Sequence, residues 1–153
     1  MAVISKTGAS TSAAAYGLRC LAIMLGVFFV FHGVGKIAWL TDSTILAGQL
    51  DGWREGAPAS TKWYLDAVAA PGVPLFARLV PLAELSTGLA LIFGFGVRLA
   101  AALAFLMVAN FHFARGFVYQ WAFLGDGYSL PVLGGLLALA LGGSRLPFSM
   151  SRQ

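Results

Sequence analysis

Five ionisable residues, His32, Lys36, Glu84, His112 and Arg115, interrupt stretches of the chain that are otherwise apolar. In a lipid interior each such group costs about 2.5 to 3.5 kcal/mol on insertion scales, so it usually turns toward protein and finds a partner there. Their types suit proton and hydrogen-bond chemistry: imidazole exchanges protons near neutral pH, carboxyl groups serve as acids and bases, and Lys and Arg donate. Spacing groups them further. His32 and Lys36 are four residues apart and His112 and Arg115 three apart, so on helices each pair projects from one face. Glu84 follows Pro81, whose ring would displace the carbonyl of Ala77 and leave a backbone acceptor to be met by a side chain, water or ligand. A kinked, partly hydrated pocket beside Glu84 is the expected consequence.

The elements that position these residues follow from composition. Of 153 residues, 59% are hydrophobic and 10% charged, against roughly a quarter charged in a soluble domain, too few to coat a water-facing surface. The fold class expected is all-α: one domain over residues 1–153, a four-helix transmembrane bundle with a long interfacial loop between the first and second helices. The spans read as 18–40, 75–95, 97–117 and 129–143. The first is 23 residues, about 34 Å of helix, and is read as retained because no small-residue cleavage site follows it. The second and third are separated only by glycines around Gly94 and Gly96, which predicts an antiparallel hairpin. The fourth is short, with Pro131 tolerated near its start. Between the first two spans, Thr41 to Pro74 carries charge together with Trp53, Trp63 and Tyr64, which predicts one or two short interfacial helices. Two rows of small residues, Ser86, Ala90 and Gly94, then Gly134, Ala138 and Gly142, predict close helix contacts. Cys20 is the only cysteine, so no disulfide forms within one chain.

On a four-span path, the side with both termini and the glycine hairpin holds Lys6, Arg19, Arg98, Arg145 and Arg152 and no acid. The other holds Lys36, Arg54, Lys62, Arg78 and Arg115 with all six acids. Three cations of the second set lie within or at the ends of spans, which places both termini in the cytoplasm of a prokaryotic-type inner membrane. Antiparallel winding then brings His32, Glu84 and His112 to one leaflet, roughly 7 to 14 Å inside the same face.

The chain resembles the DoxX-like membrane proteins, a family that includes small subunits named for thiosulfate:quinone oxidoreductase. The resemblance rests on His32-Gly33 with Lys36, Glu84 with Gly88, and Gly94 with Arg98. Lys62 to Tyr64, the Pro-rich entry before Phe76, and Asn110 add to it, and it covers about Tyr16 to Gly143. It implies a four-helix membrane fold and association with redox enzymes or other membrane assemblies, and no single reaction.

For Lys36 and Glu84 two readings stand side by side, an ion pair fastening two helices and a ligand contact. In the second, Glu84 and His32 form a proton path to a quinone headgroup, whose carbonyls need donors and whose reduction takes up two protons. Two bare histidines, His32 and His112, without a c-type attachment motif carry little weight for haem, chlorophyll or metal. Asn110 reads as an interhelical hydrogen bonder, and Arg98, on the opposite side, as a structural cation reaching lipid phosphate. There is no nucleotide loop, Fe–S cysteine set or flavin fingerprint, so no intrinsic cofactor and no independent enzyme are expected. The leading expectation is a membrane subunit associated with a redox complex and contributing to quinone binding. Its rivals are an accessory or scaffold subunit of a larger membrane assembly and a small-solute transporter, which would need a water path through an almost purely apolar opposite leaflet. Lipid and other membrane subunits are the expected partners; scattered Lys and Arg speak against nucleic acid.

Overall fold

A computed structural model describes the backbone of residues 6–150 and side chains from Ala13 onward. Arg152 and the side chain of Lys6, counted above among the hairpin-side cations, lie outside that description. The described residues form helices and turns with no strand. Three helices are long and apolar enough to cross a membrane: α1 (Lys6–Gly35, apolar over Ala13–Gly35), α4 (Val73–Phe93) and α5 (Val97–Ala114). Between α1 and α4 lie α2 (Thr44–Arg54) and α3 (Ala59–Tyr64); after α5 come the single turn α6 (Ala122–Gly125) and α7 (Leu130–Gly142). At 13 residues α7 is about 20 Å long, shorter than the roughly 30 Å hydrocarbon layer.

The first span stops sooner than its hydropathy suggests. Gly33 and Gly35 weaken the helix, and at Lys36 the backbone turns (φ −107°, ψ 9°) into a 3-10 segment, Ile37–Leu40, that buries Trp39. The α4–α5 hairpin forms at the expected glycines, with Gly94 and Gly96 both at left-handed φ, 71° and 54°. The polar connection folds into α2, α3 and a π-helical turn, Leu65–Ala69. Its Leu46, Leu50, Leu65 and Ala69 bury themselves with Trp39 against Val73, Ala77 and Ala114, so the first turns of α4 are roofed by protein. At the start of α2 the Asp42 carboxylate accepts from the Thr44 hydroxyl at 2.5 Å and its amide at 2.9 Å, which holds that carboxyl below the usual aspartate range. The sign follows: the bond supports the α2 entry at neutral pH, and its support fades as pH falls through the lowered value. The half-exposed Arg54–Asp66 pair adds little.

The main core gathers Phe29 and Leu25 of α1, Leu91 of α4, Ala101, Ala104 and Val108 of α5, and Leu136 and Leu139 of α7. Meanwhile Met24, Phe31, Leu75, Leu82, Leu99 and Leu106 point outward, more than half exposed, an apolar exterior suited to lipid. α7 runs antiparallel to α5: Arg98 at the start of α5 donates to Ala140 O at 2.9 Å, and His112 near its end meets Tyr128 O at 3.1 Å. Arg19 is buried rather than facing the interface, its guanidinium donating to Leu91 O at 2.9 Å and Ile92 O at 2.6 Å in the last turn of α4. Carbonyls that lack an intrahelical partner there are thereby satisfied.

α1 packs most extensively on α4. The contact is not the Ser86, Ala90 and Gly94 row, since Ser86 is exposed. It is Gly26 against Gly88, where a Cβ on either would lie 2.7 Å from the other's carbonyl oxygen. The fourth-helix row is met only at Gly142, where a Cβ would lie 3.0 Å from Leu18 Cδ1: Gly134 meets nothing and Ala138 is exposed, while the neighbouring Gly135 packs on Leu21 and Leu25. Gly88→Leu should therefore force α1 from α4 and lower stability by about 2 kcal/mol or more, whereas Ala138→Leu should leave the thermal unfolding midpoint of the purified chain unchanged. Equal effects of the two variants would refute this packing.

Candidate functional site

The Gly26–Gly88 crossing sets the geometry one level further along both helices. Toward the end of α1, Gly33 lies against Leu85, with a hypothetical Cβ only 2.7 Å from Leu85 Cγ. One turn on, Lys36 leaves the helix and its Nζ donates to both oxygens of Glu84, at 2.7 and 2.8 Å. The carboxylate is the better covered partner, with side-chain exposures of 5% for Glu84 and 19% for Lys36. The ammonium also stands 5.6 Å from the Phe111 ring centre and 5.8 Å from that of Trp39, within cation–π range.

The pair borders a cavity of about 490 Å³. His32, Lys36, Glu84, His112 and Arg115 all line it, so the five residues that interrupt the apolar stretches converge on one space. Phe28, Phe29, Val108 and Phe111 supply apolar wall from α1 and α5. Trp39, Gln49, Trp53, Asp126 and Tyr128 complete it from the connections. Hydropathy breaks pointed to none of these last five, because all lie where polar and aromatic residues are ordinary. The only signal was the aromatic and acidic character of the connections, which reads as membrane interface.

Individual residues sit differently from one another. His112 is buried; since a carbonyl only accepts, its contact with Tyr128 O places a proton on Nε2. Its ring stacks on Phe117 and meets Phe123 edge-on, and Nδ1 has no hydrogen-bond partner among the described residues. His32 is largely exposed, its ring 4.2 Å from Phe28 and 5.9 Å from Tyr128, centre to centre. Arg115 is exposed at the end of α5, over the Phe117 ring at 5.3 Å. Asp126 organises the turn before α7, accepting from Tyr128 N at 3.1 Å and Ser129 Oγ at 3.0 Å.

One expectation shifts. His32 stands three residues before Gly35 and His112 two before Ala114, so the cluster lies at the ends of α1 and α5 rather than 7 to 14 Å inside them. It is covered instead by the folded connection, while Glu84 meets it from the middle of α4. Asn110 accepts from Tyr64 Oη at 2.8 Å, the interhelical bond expected of it, which ties α5 to the connecting helix α3. Arg98 is at the opposite end, on Ala140 O. Among the described residues no three of His, Cys, Asp and Glu gather as a metal-ligand set.

The DoxX family model matches residues 17–115, well over half of the chain, a range that includes Lys36, Glu84, His112 and Arg115. No curated protein and no solved structure matches the chain.

The Lys36–Glu84 pair yields a double-mutant cycle. Glu84→Leu leaves an ammonium without its counter-charge and should destabilise by about 3 kcal/mol, while adding Lys36→Met to it should recover most of the loss. Thermal unfolding in detergent measures both; additive losses would show that the two side chains do not depend on one another.

Proposed function

The chain belongs to the DoxX family, and we propose that it is a four-span membrane subunit whose cavity holds a quinone headgroup for a membrane redox complex. The observation that carries this reading is the convergence of the five ionisable residues and an aromatic wall on one 490 Å³ space, a volume usual for small-molecule sites at about 300 to 1,000 Å³. A quinone is a flat ring with two carbonyl acceptors and an apolar tail. Trp39, Trp53, Phe28 and Phe111 offer ring faces, while Lys36, His32 and Arg115 offer donors. The lipid-facing exterior of α1 beside His32, where Phe31 is 74% exposed, suits the tail.

Reduction of the ring to its quinol takes two electrons and two protons. In this reading the electrons come from an electron-carrying partner subunit, and Glu84 and His32 pass protons to the ring oxygens. α7 counts as the fourth span through its pairing along α5, and the acid-free hairpin end is the cytoplasmic one, with both termini there. In this reading the membrane is an inner membrane of prokaryotic type. The mutual satisfaction of Lys36 and Glu84 favours one other reading, an accessory subunit in which the pair only fastens α1 to α4.

Titration of a short-chain ubiquinone analogue into the chain in neutral nanodiscs distinguishes the two. Quinone binding should quench tryptophan fluorescence saturably, through Trp39 and Trp53, and Arg115→Gln should weaken it about tenfold, or roughly 1.4 kcal/mol. Quenching that never saturates would leave only the accessory reading. For the orientation, a reporter fused after residue 153 should be active in its cytoplasmic form; an active periplasmic phosphatase at that point would reverse the assignment.

A further inference from the structure

We propose that the hairpin end of the bundle carries a second site, which binds the phosphate of an anionic phospholipid headgroup. Between the α4–α5 turn and the segment after α7 lies a cleft of about 980 Å³, lined by Arg98 and Arg145 together with Gly96 and Val97. Arg98 uses Nε on Ala140 O, which orients the guanidinium and leaves its terminal nitrogens without a partner among the described residues. Arg145 makes no ion pair, since the two pairs among the described residues are Lys36–Glu84 and Arg54–Asp66, both at the other end. Its backbone is left-handed, φ 57°, a conformation that side-chain-bearing residues rarely adopt and that persists where the surroundings fix it.

The charge balance makes an anion the fitting ligand. All six acids of the chain, Asp42, Asp51, Glu55, Asp66, Glu84 and Asp126, belong to the connections or the first cavity. No acidic side chain of the described residues pairs with Arg98 or Arg145, and guanidinium forks match phosphate oxygens in geometry. Three exposed leucines of α5, Leu99, Leu103 and Leu106, run away from the cleft at helical spacing. That stripe offers acyl chains a continuous track below a headgroup held at the rim, which favours a lipid over a free ion as the source of the phosphate.

The chain in phosphatidylcholine nanodiscs, with and without phosphatidylglycerol, provides the test, read as the unfolding midpoint and as lipid retained in native mass spectrometry. Phosphatidylglycerol should be retained about tenfold in preference to phosphatidylcholine and should raise the midpoint. Arg145→Gln, which breaks no hydrogen bond within the described residues, should abolish the preference, and Arg145→Lys should restore part of it. Equal retention of the two lipids, or a preference unchanged in Arg145→Gln, would overturn the site. Inorganic phosphate at millimolar concentration giving the same rise would overturn the lipid assignment in favour of a soluble anion. Neither result bears on quinone binding, which is read at the other end of the bundle.

Discussion

The close crossing of α1 and α4 at Gly26 and Gly88 is the constraint on which the rest depends. Without side chains between them the two backbones meet directly, and every residue further along is placed by that contact. It seats Gly33 on Leu85, and it brings the Lys36 ammonium within 2.7 Å of the Glu84 carboxylate. In a medium with little water the two charges would be costly apart, so the crossing and the ion pair support each other. A lysine that lay on the regular helix would have a different reach. The glycines that end α1 before Lys36 therefore belong to the same arrangement as those that bring the helices together.

The two ends of the bundle answer the same electrostatic demand in opposite ways. Helix termini leave carbonyls and amides that lipid does not satisfy. At the hairpin end cations meet carbonyls, Arg19 on the last turn of α4 and Arg98 on that of α7, and Met150 N adds a bond to Phe93 O. At the cavity end Asp126 accepts from donors before α7, two ion pairs form, Lys36–Glu84 and Arg54–Asp66, and Arg78 donates to Pro74 O in the first turn of α4. Among the described residues, one end thus holds cations without an acidic side chain and the other a mixed polar space. This division supports placing small-molecule chemistry at the cavity and anionic lipid at the hairpin.

The connection between α1 and α4 does more than join them. Its apolar residues form a small core of their own over the first turns of α4, and its Trp39, Gln49 and Trp53 reach into the cavity. The polar cluster is consequently bounded by protein on the side where two spanning helices have already ended. A site of this kind combines an exposed rim, at Arg115 and His32, with a covered carboxylate, at Glu84. A ligand with a polar ring and a long apolar tail matches that gradient better than a wholly soluble molecule does.

The membrane character, the glycine hairpin and the five ionisable residues that line one cavity were legible in the sequence, because each departs from its surroundings in composition alone. Charge inside an apolar run and glycine between two such runs are local facts, and the local energetics of lipid leave them few meanings. The faces that meet were legible only in part: of the rows Ser86, Ala90, Gly94 and Gly134, Ala138, Gly142, the residues Gly94 and Gly142 meet Ser149 and Leu18, yet Ser86, Gly134 and Ala138 turn outward and Gly26, Gly88 and Gly135 make the other contacts. Nor was the role of the connection legible: its Trp53 looks interfacial until the fold carries it into the cavity wall, beside a Trp39 that the hydropathy assigns to the first span. In an all-apolar helix every face is equally compatible with lipid, so periodicity does not say which face packs. That choice belongs to contacts between residues distant in the chain, and only the tertiary structure made it.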